Sequence, residues 1–203
     1  MTDSLNIVSL HTDLARCRRC AEAGHHIEGK PVFSGSQSAR LMLIGQAPGA
    51  VEVGLGYPFG GSAGKRLFKW LSQAGWEEST FRATCYMTSV TKCFPGQNPK
   101  GSGDRVPSAV EQQLCRPWLD LELALVQPEI VVPVGSLAIR LFYPAGFKLE
   151  EVIGQSIEDG LGRKIVPLPH PSGASRWHND PRHLGQIEQA LFVLRMLKAE
   201  HGL

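Results

Sequence analysis

The sequence predicts an α/β protein: three α/β/α layers around a central, mostly parallel sheet of four strands. Three observations carry that prediction. Leu41-Met42-Leu43-Ile44 is an apolar run long enough for a buried strand, and it stops at Gly45-Gln46-Ala47-Pro48-Gly49. A second glycine turn, Tyr57-Pro58-Phe59-Gly60-Gly61-Ser62-Ala63-Gly64, opens a stretch over 65–74 in which Leu67, Phe68, Trp70 and Leu71 recur at helical spacing. Further along, short apolar, β-branched segments alternate with helical ones, the pattern of a sheet covered on both faces. Strand, glycine turns and helix in that order place a ligand pocket at the carboxyl end of the first strand. The chain lacks both GxGxxG and the GKS/T of a P-loop, which weighs against an ordinary nucleotide turn.

Taken in order, 5–21 reads as a short amphipathic helix ending in Cys17-Arg18-Arg19-Cys20, and 23–38 as a polar connection to the first strand. After the helix 65–74, the stretch 83–90 (ATCYMTSV) is rich in β-branched and aromatic residues and predicts the second strand, which runs out into Thr91-Lys92-Cys93-Phe94-Pro95-Gly96. A polar loop follows over 98–107, carrying Lys100, Asp104 and Arg105. The next helix spans 108–126, with Ser108 at its N-cap and Glu111 at the capping-box position. An apolar third strand over 129–135, a short helix over 137–142, a fourth strand over 164–168 and an amphipathic helix over 186–200 complete the alternation.

Composition bounds the possibilities further. At 203 residues and 42% hydrophobic the chain can bury a core, and it is read as a single domain over 1–203. A formal net charge of +2 is too small to declare a nucleic-acid partner by itself. No apolar run reaches the length of a membrane span, and the first residues lack the basic region and apolar core of a signal peptide, so the expectation is cytoplasmic residence; the chain is also read as a monomer. In a reducing compartment, five cysteines are metal ligands or buried small side chains rather than disulfides. The fourth strand leads into Pro169-His170-Pro171-Ser172-Gly173-Ala174-Ser175-Arg176-Trp177, where a histidine held between two prolines is presented at the sheet edge that also gathers Gly45–Gly49.

Three stretches, GQAPG…YPFGGSAG, TSVTKCFP and HPSGASR, resemble in order and spacing the motifs of the uracil-DNA glycosylase superfamily, most like its family 4, the iron–sulfur type. The resemblance runs from Cys17 to the last helix and implies excision of a deaminated base, uracil first, from DNA. It implies that Gly45, Gln46 and Ala47 shape the base pocket and position the attacking water, that Phe59 stacks on a flipped base, and that His170 stabilises the leaving base where negative charge develops. Ser89 falls where the base edge is read. Ser175, Arg176 and Trp177 occupy the place of a DNA-intercalation loop, and Lys65 and Arg66 add to a phosphate-facing helix start.

The resemblance also implies that Cys17, Cys20, Cys93 and Cys115 ligate one centre. Four thiolates suit zinc as well as a [4Fe–4S] cluster, and the choice of iron–sulfur rests on the resemblance. Cys85 is left as buried filler. Two departures stand out: Gln46 where family 4 has glutamate, and Ser89 where it has asparagine. Neutral Gln46 can orient a water but cannot act as a base, and a serine hydroxyl is shorter than an asparagine amide. Other expectations compatible with these residues are a glycosylase for hypoxanthine or xanthine, a weakly catalytic DNA-damage-binding module, and a nucleotide-binding redox protein.

Overall fold

The computed structural model describes residues 6–99, 101, 103–173 and 177–203. Ser175 and Arg176, expected to contact DNA, lie outside the described residues. The chain opens with α1 (Ile7–Ala15) and a single turn, α2 (Arg19–Glu22). The first strand, β1 (Leu41–Gly45), is followed by α3 (Ala50–Leu55), α4 (Ser62–Gln73) and α5 (Glu78–Thr84). Next come β2 (Tyr86–Ser89), α6 (Ala109–Val126), β3 (Ile130–Pro133) and α7 (Ser136–Ile139). The chain finishes with α8 (Leu149–Val152), β4 (Ile157–Glu158), β5 (Lys164–Ile165) and α9 (Pro181–His201).

Among the described residues the sheet has five strands in the order β2-β1-β3-β5-β4, not the four expected. The additional strand, β4, pairs antiparallel with β5 at the sheet edge, and its two residues are too few to show any periodicity. The other pairings between these strands are parallel. Because side chains alternate along a strand, Leu41 and Leu43 of β1 pack on one face with Leu67, Phe68 and Leu71 of α4 and with Leu191 and Leu194 of α9. Met42 and Ile44 pack on the other with Leu10 of α1, Leu119 of α6 and Ala138 of α7. That alternation makes the three layers. The second strand starts at Tyr86, later than expected, since Phe81 is buried as the inner residue of α5 and Cys85 caps that helix. The first helix stops at Ala15, so the Cys17–Cys20 pair straddles a break between α1 and α2.

The helix α6 starts as its sequence predicts: Ser108 Oγ accepts from the Glu111 N–H, and the Glu111 carboxylate accepts from the Ser108 N–H. Its inner face carries a fully buried carboxylate, Glu122, which needs partners to be tolerated there. Tyr86 and Thr88 hydroxyls donate to it at 3.0–3.1 Å, and Lys92 Nζ lies 2.8 Å away, itself 1% exposed. Lys92 Nζ also donates to the Ser89 carbonyl at 2.5 Å, so the same cation fixes the end of β2. Removing one member of such a pair strands a buried charge, a penalty of about 3–5 kcal/mol. Lys92→Met is therefore expected to cost about that much in urea unfolding, and Lys92→Met/Glu122→Gln is expected to recover part of the loss; equal stability of Lys92→Met and the parent would refute the role of the pair.

Candidate active site and cysteine cavity

β1 lies between β2 and β3, and the carboxyl ends of these strands open into a cleft of about 550 Å³. Its walls bring together Gln46, Ala47, Phe59, Ser89 and His170. Gly45, at the end of β1, has room for no side chain: a methyl group there would lie 2.8 Å from the tip of the Phe59 ring and 3.4 Å from Ser89 Oγ. Ser89 is buried, with its hydroxyl beside Gly45. Lys65 is exposed on the first turn of α4 and does not line the cleft.

Phe59 sits on left-handed backbone, with φ of 54°, which is uncommon for a bulky residue. Arg82 of α5 holds it there. Its guanidinium donates to the Pro58 and Phe59 carbonyls, both at 2.8 Å, while lying over the rings of Tyr57 and Phe68. The two glycine turns are joined by Glu52, whose carboxylate accepts from the Gly49 N–H at 3.0 Å and the Gly61 N–H at 3.1 Å. Sequence reading missed Glu52, although its place three residues after Gly49 is a capping-box spacing.

The tautomer of His170 follows from its neighbours. The Ser172 backbone N–H donates to His170 Nδ1 at 3.2 Å, so the ring proton of the neutral side chain is on Nε2. The segment is fixed from behind by His178. Arg66 donates to His178 Nε2 at 2.6 Å and to the Pro171 carbonyl at 2.8 Å, which leaves the His178 proton on Nδ1 to be donated to the His170 carbonyl at 3.1 Å. Arg66, expected to share a phosphate face with Lys65, instead turns inward, because its guanidinium is taken up by His178 and the Pro171 carbonyl. Trp177 lies flat against His183, with ring centroids 4.1 Å apart, and its indole N–H donates to Glu150.

Cys17, Cys20, Cys93 and Cys115 line one cavity of about 60 Å³, walled by the α1–α2 break, the run after β2 and the first turns of α6. Among the described residues no group of three or more His, Cys, Asp and Glu side chains is already drawn together tightly enough to hold a metal ion. The donor set nevertheless fits a thiolate-bound centre. The Trp118 indole N–H donates to Cys17 Sγ at 3.1 Å and the Lys92 N–H to Cys115 Sγ at 3.4 Å. Burial, and then the neighbouring cysteines, push Cys20 up to about 11 and Cys93 up to about 12, so thiolates here need a cation beside them. Cys85 lies apart and is buried.

Burial lowers the pKa of both His170 and His178, with the other histidine second for His170 and Arg66 second for His178. Each is therefore neutral in the folded protein at a pH where the unfolded chain already takes up protons. The resulting stability is fully present above the ordinary histidine value of 6.5 and is lost as pH falls below it. The melting temperature is expected to drop between pH 7 and 5, less steeply in His178→Asn; parallel profiles for the variant and the parent would refute the assignment.

Comparisons with known proteins agree with this geometry. The sequence profile of the uracil DNA glycosylase superfamily matches residues 32–192, which take in β1, the cleft and most of α9. A Thermotoga maritima protein named type-4 uracil-DNA glycosylase is 29% identical over 160 residues, 77% of this chain and 78% of that protein. Another of that name from Sulfurisphaera tokodaii is 31% identical over 179 residues, 85% of this chain and 76% of its own length. A type-5 uracil-DNA glycosylase from Pyrobaculum aerophilum is 32% identical over 162 residues, 71% of this chain and 66% of that protein. With the profile covering most of its length and the motif residues gathered in one cleft, the chain belongs to the uracil DNA glycosylase superfamily.

Proposed function

We propose that this protein is a DNA-repair glycosylase that takes a deaminated base, uracil first, out of the helix and hydrolyses its N-glycosidic bond, leaving an abasic site. The observation that carries the reading is the state of His170: with Nδ1 accepting from Ser172, the free nitrogen is a donor, Nε2–H, on a residue that lines the cleft. As the C1′–N bond breaks, its electron pair moves into the base, and a fixed donor at the base oxygen stabilises that charge where it develops. Phe59, held rigid by Arg82, offers the flat apolar face on which the flipped ring rests. The Gln46 amide orients the water. The short Ser89 side chain favours a second reading, in which a larger deaminated base such as hypoxanthine or xanthine also enters.

Cys17, Cys20, Cys93 and Cys115 would hold a [4Fe–4S] cluster whose chemistry is that of a cross-link. The residues around it join three segments: the α1–α2 break, the run after β2, and α6. Arg105 reinforces the same junction, with both nitrogens on Glu111 at 2.7 Å and further donation to the Pro95 and His26 carbonyls. The roles of Ser175, Arg176, Trp177 and Lys65 toward DNA belong to this proposal as well.

Two experiments test it. On single- and double-stranded oligonucleotides carrying uracil, hypoxanthine or xanthine, the parent is expected to release uracil, and His170→Ala to lose about 100- to 1,000-fold in rate with DNA affinity nearly unchanged, since one fixed donor at a developing charge contributes roughly 3–4 kcal/mol. Release of none of the three bases would leave the binding-module reading standing. Anaerobically purified protein is expected to contain iron and acid-labile sulfide, and Cys17→Ser to melt at lower temperature; stoichiometric zinc without sulfide would replace the cluster assignment.

A further inference from the structure

The first motif of this chain carries no carboxylate, because Gln46 is neutral and Ala47 has no polar side chain. Glycosidic hydrolysis still leaves positive charge on the sugar and a water proton to be removed, both of which an anion near the reacting carbon would assist. Two carboxylates line the cleft, Glu52 and Asp104. They flank the last glycine of the motif: a methyl group on Gly49 would lie 2.8 Å from Glu52 Oε2 and 2.9 Å from Asp104 Oδ2.

Their situations differ. Glu52 is buried, and each of its oxygens already accepts from a backbone N–H, at Gly49 and at Gly61. Among the described residues, none donates a hydrogen bond to the Asp104 carboxylate or forms an ion pair with it. Its backbone is nonetheless fixed. Residue 104 bridges to Gln97, the Asn98 N–H donates to the Gly103 carbonyl at 2.9 Å, and the Arg105 N–H donates to the Gly96 carbonyl at 2.9 Å. The next side chain, Arg105, is anchored on the buried carboxylate of Glu111. Asp104 is thus fixed beside Gly49, in the cleft that Gln46 also lines, with a carboxylate that no other described residue engages.

We propose that Asp104 is the catalytic anion and base of this cleft, supplying from the loop before α6 the carboxylate that the first motif lacks. The proposal rests on the glycosylase reading above. In the step, a water held by Gln46 and Asp104 attacks C1′, its oxygen forming the new C1′–O bond as the C1′–N bond breaks. The bonding pair leaves with the base, hydrogen-bonded by His170 Nε2–H, and the water proton passes to Asp104 and from there to solvent, while the released base takes up a proton from solvent. Asp104 is exposed, and partial loss of solvent at the cleft wall, then the charge of Glu52, raise its pKa above that of a free aspartate.

The test is single-turnover excision from a uracil-containing oligonucleotide, with affinity measured on the same sequence carrying uncleavable 2′-fluoro-2′-deoxyuridine. Asp104→Asn is expected to lose at least 100-fold in rate, within the 10²- to 10⁴-fold range of a positioned base, with affinity within about threefold of the parent. The acid limb of the parental pH–rate profile should disappear with it. Asp104→Asn/Gln46→Glu, which returns a carboxylate to the first motif, is expected to regain at least tenfold over Asp104→Asn. An Asp104→Asn rate within threefold of the parent, or a loss of affinity as large as the loss of rate, overturns the proposal while leaving the glycosylase reading intact. If the parent releases no base at all, both readings fall.

Discussion

The ion pair between Lys92 and Glu122 lies beneath everything functional in this molecule. It is almost wholly shielded from water, and two such charges are tolerated in an interior only when each is surrounded by partners. Glu122 has Tyr86, Thr88 and Lys92, and the Tyr86 hydroxyl is in turn 2.8 Å from His11 of α1. Lys92 reaches the Ser89 carbonyl on the cleft side, while its own N–H points at Cys115 on the other. One buried contact thus sets the end of β2 relative to α6, with the cleft and the cysteine cavity on either side of it. A partly formed network would be worse than none, so these elements assemble together or not at all.

Much of the architecture could be read from residue order because it rests on strong local signals. The apolar run at Leu41–Ile44, its glycine stop and the Ser108/Glu111 capping box each fall where the sequence places them. What escaped was local structure of one or two turns. α3 lies between glycines, α5 hides in a polar stretch with one inward aromatic, Phe81, and β4 has only two residues. In the site, Gly45, Gln46, Ala47, Phe59, Ser89 and His170 were legible as motif residues. Arg66 was not, because its inward turn depends on His178, more than a hundred positions away, and a sequence shows a cation without its partner. The same holds for the Glu52 clamp and for the Trp177–His183 stack.

The cleft holds two kinds of polar group. The His170 edge offers a neutral donor whose proton position is fixed by a backbone amide. Around Gly49 the same cleft carries the carboxylates of Glu52 and Asp104. A substrate whose bond polarises toward cation at the sugar and anion at the base would find both a donor and an anion in the one cleft. The parallel sheet makes this possible, since β1, β2 and β3 end on the same side and their loops converge there.

The left-handed backbone at Phe59 has a thermodynamic meaning of its own. Such a conformation costs about 1–3 kcal/mol for a residue other than glycine, and it persists because Arg82 clasps the carbonyls on either side. The ring is therefore immobilised when the chain folds rather than when a nucleotide arrives. An arriving base loses its own freedom but does not have to freeze that of its platform, so the entropic penalty of capture falls on the ligand alone.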